Sequence, residues 1–169
     1  MVEPAAYRVF QHFIGVDPGP IPGFVHLARR GRHLEVDVLQ CSARVAPSVL
    51  YMLLQDCRTS LGQAPALVQI ERFVVGRRSS RSSTAGAGEQ TRDLVGRLQR
   101  EAEQQDNVAI RLRSAAQVKP WATDARLEAA GLLDATKGMR HARDAARHAL
   151  FAAVHDGGLP DPLSKEFNR

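Results

Sequence analysis

The segment from Leu67 to Val75 is a near-continuous apolar, β-branched run, interrupted by Glu71. Such a run suits a strand covered on both faces, hence a central and parallel one. That places helices on both sides of a sheet and restricts the chain to α/β architectures. A carboxylate in such a strand demands pairing, neutralisation or a metal ion.

Two further acids stand in comparable positions. Asp17 closes the strand-like run Val9 to Val16 and precedes Pro18-Gly19, so it is either a turn former or a functional group at a strand end. Asp144 lies in a helical stretch whose other face is small and apolar, His141-Ala142-Arg143-Asp144-Ala145-Ala146-Arg147-His148-Ala149-Leu150. Pairing with Arg140 or Arg147 at helical spacing is its ordinary alternative.

Around these points the chain reads as consecutive elements. Val9–Val16, Phe24–Ala28 and Leu34–Leu39 are strands, the last two joined in a hairpin at Arg30-Gly31-Arg32. A helix spans about residues 45–61, with Gly62 as its stop, and the central strand follows. Residues 89–105 form a polar helix with Leu94 and Leu98 along one side, flanked by Val95 and Ala102. Asn107–Leu112 is a further strand, Ser114–Trp121 a connection, and Thr123-Asp124 caps a short helix. The last helix runs from about Met139 to His155, stopped by Gly157-Gly158. This order gives a sheet of mixed direction with helices on both faces. Asp17 and Glu71 then fall on neighbouring strands, within reach of Asp144 on the closing helix.

A chain of 169 residues is one domain by length. No apolar run reaches the roughly 18 residues of a membrane span, and the N-terminus lacks a signal-peptide pattern, so a cytoplasmic protein is expected. Cys41 and Cys57 lack metal-type spacing and read as reduced, semi-buried thiols. The net charge of +5 is concentrated in two places. Arg77, Arg78 and Arg81 lie in a Ser/Gly-rich segment, and Lys137, Arg140 and Arg143 directly precede Asp144. Basic segments beside an acidic site suit contacts to a phosphate backbone; a solvated loop is the alternative for the first.

Carboxylates with an imidazole around open coordination positions suit Mg²⁺ or Mn²⁺. Two such ions about 4 Å apart can clamp the oxygens of a phosphodiester under attack by water. His141, Asp144 and His148 share one helix face. His141 is a ligand or proton carrier, whereas His148 reads as a supporting or surface residue.

Taken in order, Phe13-Ile14-Gly15-Val16-Asp17-Pro18-Gly19, Val68-Gln69-Ile70-Glu71, Gln117-Val118-Lys119 and His141-Ala142-Arg143-Asp144-Ala145-Ala146 resemble the RuvC-like Holliday junction resolvases. The likeness is to their phage-type members and runs from about Val9 to Val154. These proteins belong to the ribonuclease H-like superfamily. The resemblance implies a mixed five-stranded sheet, three antiparallel strands then parallel ones, in a single domain over residues 1–158, with 159–169 a mobile tail. It implies Asp17, Glu71 and Asp144 as metal ligands, with His141 where many relatives carry another Asp. It also implies Lys119 near the scissile phosphate, with Lys137 a second candidate. Some relatives place a base-stacking aromatic after the strand glutamate; here Phe73 is either that wedge or core. The activity implied is two-metal hydrolysis of four-way junctions by a homodimer, leaving 5′-phosphate and 3′-hydroxyl ends, with flaps and forks as further substrates.

The sequence also admits two other readings. One is a non-catalytic branched-DNA-binding module on the same fold. The other is a phosphate-binding fold of the actin/sugar-kinase type, which needs a second phosphate loop and a longer chain; no Walker-type loop occurs either.

Overall fold

The protein is described by a computed structural model that covers residues 10–31, 33–60, 64–74 and 87–167. Three antiparallel strands open it: β1 (His12–Asp17), β2 (Gly23–Arg30) and β3 (His33–Gln40). Helix α1 (Ala46–Ser60) leads to β4 (Ala66–Glu71), and α2 (Ala87–Glu103) to β5 (Val108–Arg113). Four helices follow: α3 (Ala115–Val118), α4 (Asp124–Ala129), α5 (Leu132–Ala135) and α6 (Arg140–His155). The sheet order is β3-β2-β1-β4-β5, with β4 parallel to both β1 and β5. The expected mixed sheet is therefore present, and the apolar run is its buried, parallel strand.

Alternation along the strands divides the core into two layers. Ile14, Val16, Val68 and Ile70 pack with Leu50 and Leu54 of α1 and Leu94 and Leu98 of α2. The apolar stripe of α2 thus faces the sheet and α1. On the other face, Phe13, Val25, Leu27 and Leu67 pack against α6 through Ala145, Ala146, Ala149 and Ala153.

The α6 contact is unusually close, and glycines permit it. A Cβ on Gly15 would lie 2.0 Å from the Ala145 carbonyl oxygen, and one on Gly23 would lie 2.3 Å from the His141 carbonyl. Only a bare backbone lets the helix rest on β1 and β2 at this depth. The helix start is fixed by Gln40 at the end of β3, whose Oε1 accepts from the His141 and Ala142 N–H groups, each at 3.1 Å. These are among the donors a helix N-terminus leaves unpaired.

Three boundaries differ from the sequence expectation. β4 ends at Glu71 rather than Val75, because its neighbours end at Asp17 and Arg113. After the Arg72 N–H bonds to the Arg113 carbonyl at 2.9 Å, no flanking strand among the described residues supplies partners. Phe73 therefore lies beyond the strand, and strand alternation does not set its direction. The short helix α3 also occupies part of the stretch read as a connection. In the segment expected as a mobile tail, Leu159 is buried, and Asp161 accepts from the Arg126 guanidinium at 2.9–3.1 Å.

Candidate active site

Asp17 and Glu71 each follow the last β1–β4 register pair, Val16–Ile70, so the two acids end adjacent parallel strands on the α6 face. Asp144 comes one turn into α6, which crosses that face. The three carboxylates thus converge on the ends of the central strands. Burial pushes the Asp17 carboxyl above its ordinary value, opposed by its hydrogen bond to His141; the Glu71 and Asp144 charges push it further up. Mutual repulsion of this kind is what a cation relieves.

Each acid is held by nitrogen donors. Asp17 accepts from His141 Nδ1 at 2.7 Å and from the Gly19 N–H at 3.2 Å. His141 is thereby brought into the site, with its Nδ1 on Asp17 and Nε2 left for another partner. Asp144 accepts from Lys119 Nζ at 3.1 Å and from Arg147 at 2.7 Å. Asp144 thus has its i+3 arginine, and its charge also reaches Asp17.

Glu71 ends a relay that sequence reasoning did not find. Arg113 makes two hydrogen bonds to Asp156, at 2.6 and 3.0 Å, and a short one to Gln69 Oε1. A guanidinium only donates, so the Gln69 oxygen faces it and the Gln69 NH₂ donates to His148 Nδ1 at 3.1 Å. That Nδ1 must carry a lone pair, which puts the ring proton on Nε2, donated to Glu71 at 3.1 Å. One tautomer of His148 follows from the arginine two residues away in the chain of contacts. His148 is fully buried, not a surface group, and it positions the strand glutamate. The available signal was Gln69, a polar side chain in an apolar strand that needed a buried partner.

The remaining candidates divide by location. Phe73 lines a cleft with Asp17, Gly19, Glu71 and Thr91, half-buried and outside both core layers. Lys119, Arg140, Arg143, Asp144 and Arg147 line a second cleft. Lys137 lies in a third, beside Arg143 and Asp134. Arg77, Arg78 and Arg81 lie outside the described residues.

The donor set fits a divalent metal. Three carboxylates whose charges act on one another, and one imidazole beside Asp17, form the oxygen-rich donor set that hard divalent cations take. Loading such an ion requires Lys119 and His141 to yield part of their hold on Asp144 and Asp17. Among the described residues, no helix is long and apolar enough to cross a membrane.

No protein-family profile matches this sequence, and no curated protein matches it either. Solved structures do. The chain is similar to Thermus thermophilus RuvC in complex with a Holliday junction substrate, at 17% identity and a TM-score of 0.56, covering 86% of this chain and 97% of that one. It is also similar to a second T. thermophilus RuvC structure, at 19% identity and a TM-score of 0.54, covering 85% of this chain and 94% of the other. With its sheet order and mixed strand directions, this chain has the ribonuclease H-like fold of those RuvC structures.

Proposed function

We propose that this chain is a divalent-metal-dependent endonuclease that cuts branched DNA, with the four-way junction as its principal substrate. One observation carries the reading: Asp17 and Glu71 end adjacent central strands, and Asp144 of α6 lies near enough for its charge to act on Asp17. The lysine- and arginine-lined cleft beside Asp144 supports a phosphate backbone as the partner. That a structural neighbour is complexed with a Holliday junction supports the choice of substrate.

In this proposal Asp17, Glu71 and Asp144 hold Mg²⁺ or Mn²⁺, two ions per site, with His141 as the fourth group. The bound ions would neutralise charge on the phosphodiester and acidify the attacking water. The chain's own residues do the rest. His148 keeps the Glu71 carboxylate aimed at the site, and Gly19 and His141 do the same for Asp17. Lys119, released from Asp144, faces the phosphate to be cut; Arg140 and, more remotely, Lys137 track the backbone. Phe73 stands beside Asp17 and Glu71 as a stacking wedge for an unpaired base, and the charges of Arg77, Arg78 and Arg81 are further candidates for backbone contact. Water attack in line with the departing 3′ oxygen leaves 5′-phosphate and 3′-hydroxyl ends. A homodimer pairs two such sites across the two-fold symmetry of a junction.

The test is Asp144→Asn. The variant should lose cleavage of a synthetic four-way junction while retaining salt-sensitive binding to it. Cleavage at the wild-type rate would overturn the ligand assignment. A wild-type protein that binds the junction without nicking it in either metal would instead favour a non-catalytic binding module.

A further inference from the structure

We propose that His12, His26 and Cys57 form a second metal site, distinct from the acidic cluster, which takes a thiolate-preferring d-block cation of the zinc or copper(I) class. The residues come from β1, β2 and α1 and meet beneath α1. His12 lies five residues before Asp17, about 16 Å along the strand, and points to the opposite face of the sheet. All three side chains are buried, with relative exposures of 0, 5 and 1%. One donor atom from each lies within 4.8 Å of the others.

The hydrogen bonding among them is incomplete in a way that a cation would resolve. His26 Nδ1 lies 3.2 Å from the Asp37 carboxylate and donates to it, so His26 Nε2 presents a lone pair to the cluster. That single lone pair lies 2.9 Å from His12 Nδ1 and 3.6 Å from Cys57 Sγ. Two groups compete for one acceptor. His12 Nε2 is buried and has no partner among the described residues, so either placement of the His12 proton leaves an unmet nitrogen in an apolar layer. Such groups are costly in a core.

The chemistry of the donors selects the ion. Two neutral imidazoles and a thiolate suit zinc or copper(I), whereas Mg²⁺ takes oxygen ligands. The Asp37–His26 contact is the outer carboxylate that commonly orients a ligating histidine. Loading would release the Cys57 thiol proton to solvent and join β1, β2 and α1 at one point. The site is thus structural, and its occupancy is independent of the ions used in cleavage.

Cobalt(II) serves as the spectroscopic probe on chelator-treated, full-length protein. The expected result is a near-ultraviolet thiolate-to-metal charge-transfer band that saturates at one equivalent and is displaced by zinc or copper(I). The band should be lost in Cys57→Ala and Cys57→Ser but retained in Cys41→Ala and Asp144→Asn. Far-UV circular dichroism establishes that the variants are folded, and elemental analysis of untreated protein identifies the native ion. Absence of the band in wild-type protein would overturn the proposal, as would a band that survives both Cys57 substitutions and disappears in Cys41→Ala. Neither result bears on junction cleavage, which rests on the acidic cluster.

Discussion

Replacing His148 by Leu separates positioning from ligation. The imidazole is fully buried and links Gln69 to Glu71 through two hydrogen bonds of 3.1 Å each. Leucine fills much of the same space but accepts nothing from the Gln69 amide and donates nothing to Glu71. The buried amide is then unsatisfied, at a cost of about 1–3 kcal/mol. Urea unfolding followed by circular dichroism should show a loss of that size. Glu71 keeps its place at the end of β4 but not its direction. Losing the group that orients a metal ligand typically costs about 10–100-fold in metal affinity or activity. Junction cleavage by His148→Leu, measured across a Mg²⁺ or Mn²⁺ titration, should therefore need correspondingly more metal, with junction affinity in Ca²⁺ unchanged. His148→Gln, which can still donate to Glu71, should recover part of the loss. A His148→Leu enzyme with wild-type stability and wild-type metal dependence would refute the relay.

Gly15→Ala should destabilise the protein by about 3 kcal/mol or more, because the new methyl meets backbone of α6 that has no rotamer to change; denaturant unfolding measures it. Asp17→Asn should raise the thermal midpoint at pH 7 in the absence of divalent metal, on the order of 2 °C, while removing cleavage. The sign follows from linkage: a carboxyl whose folded pKa lies above its unfolded value binds its proton more tightly when folded. Its contribution is complete below the unfolded pKa and is lost as pH rises through the folded one, so at neutral pH the charge opposes folding. An unchanged or lowered midpoint in calorimetry would contradict the raised pKa.

The layered sheet was legible because its signals are periodic. The apolar β4 run implied cover on both faces, and the last helix showed a small, apolar face. The glycines at 15 and 23 could be seen, but not that they meet the alanines and backbone of α6, since that contact joins residues more than a hundred positions apart. The acids were legible for the same reason that they are costly: each breaks a pattern. Their partners were not. Gln40, Arg113 and Asp156 look like ordinary surface polar residues in the sequence, and only the fold carries them to the helix start or to the relay behind Glu71. His148 shared a helix face with Asp144, yet helical spacing alone did not distinguish the solvent side from the sheet side. The end of β4 was overrun because hydrophobic residues continue after its neighbouring strands have stopped. His12, His26 and Cys57 escaped notice because metal-type spacing is a local signal and theirs is set by strand register.

The central claim is that the three acids cut branched DNA at paired, symmetric positions. The most direct measurement is a cleavage panel of end-labelled four-way junction, flap, fork and linear duplex with the wild-type protein, each in Mg²⁺ and in Mn²⁺. Metal-dependent nicks are expected at symmetric positions on opposing strands of the junction, carrying ligatable 5′-phosphate and 3′-hydroxyl ends, with no cutting of linear duplex. Equal cutting of linear duplex, or no cutting of any branched substrate in either metal, would contradict the claim.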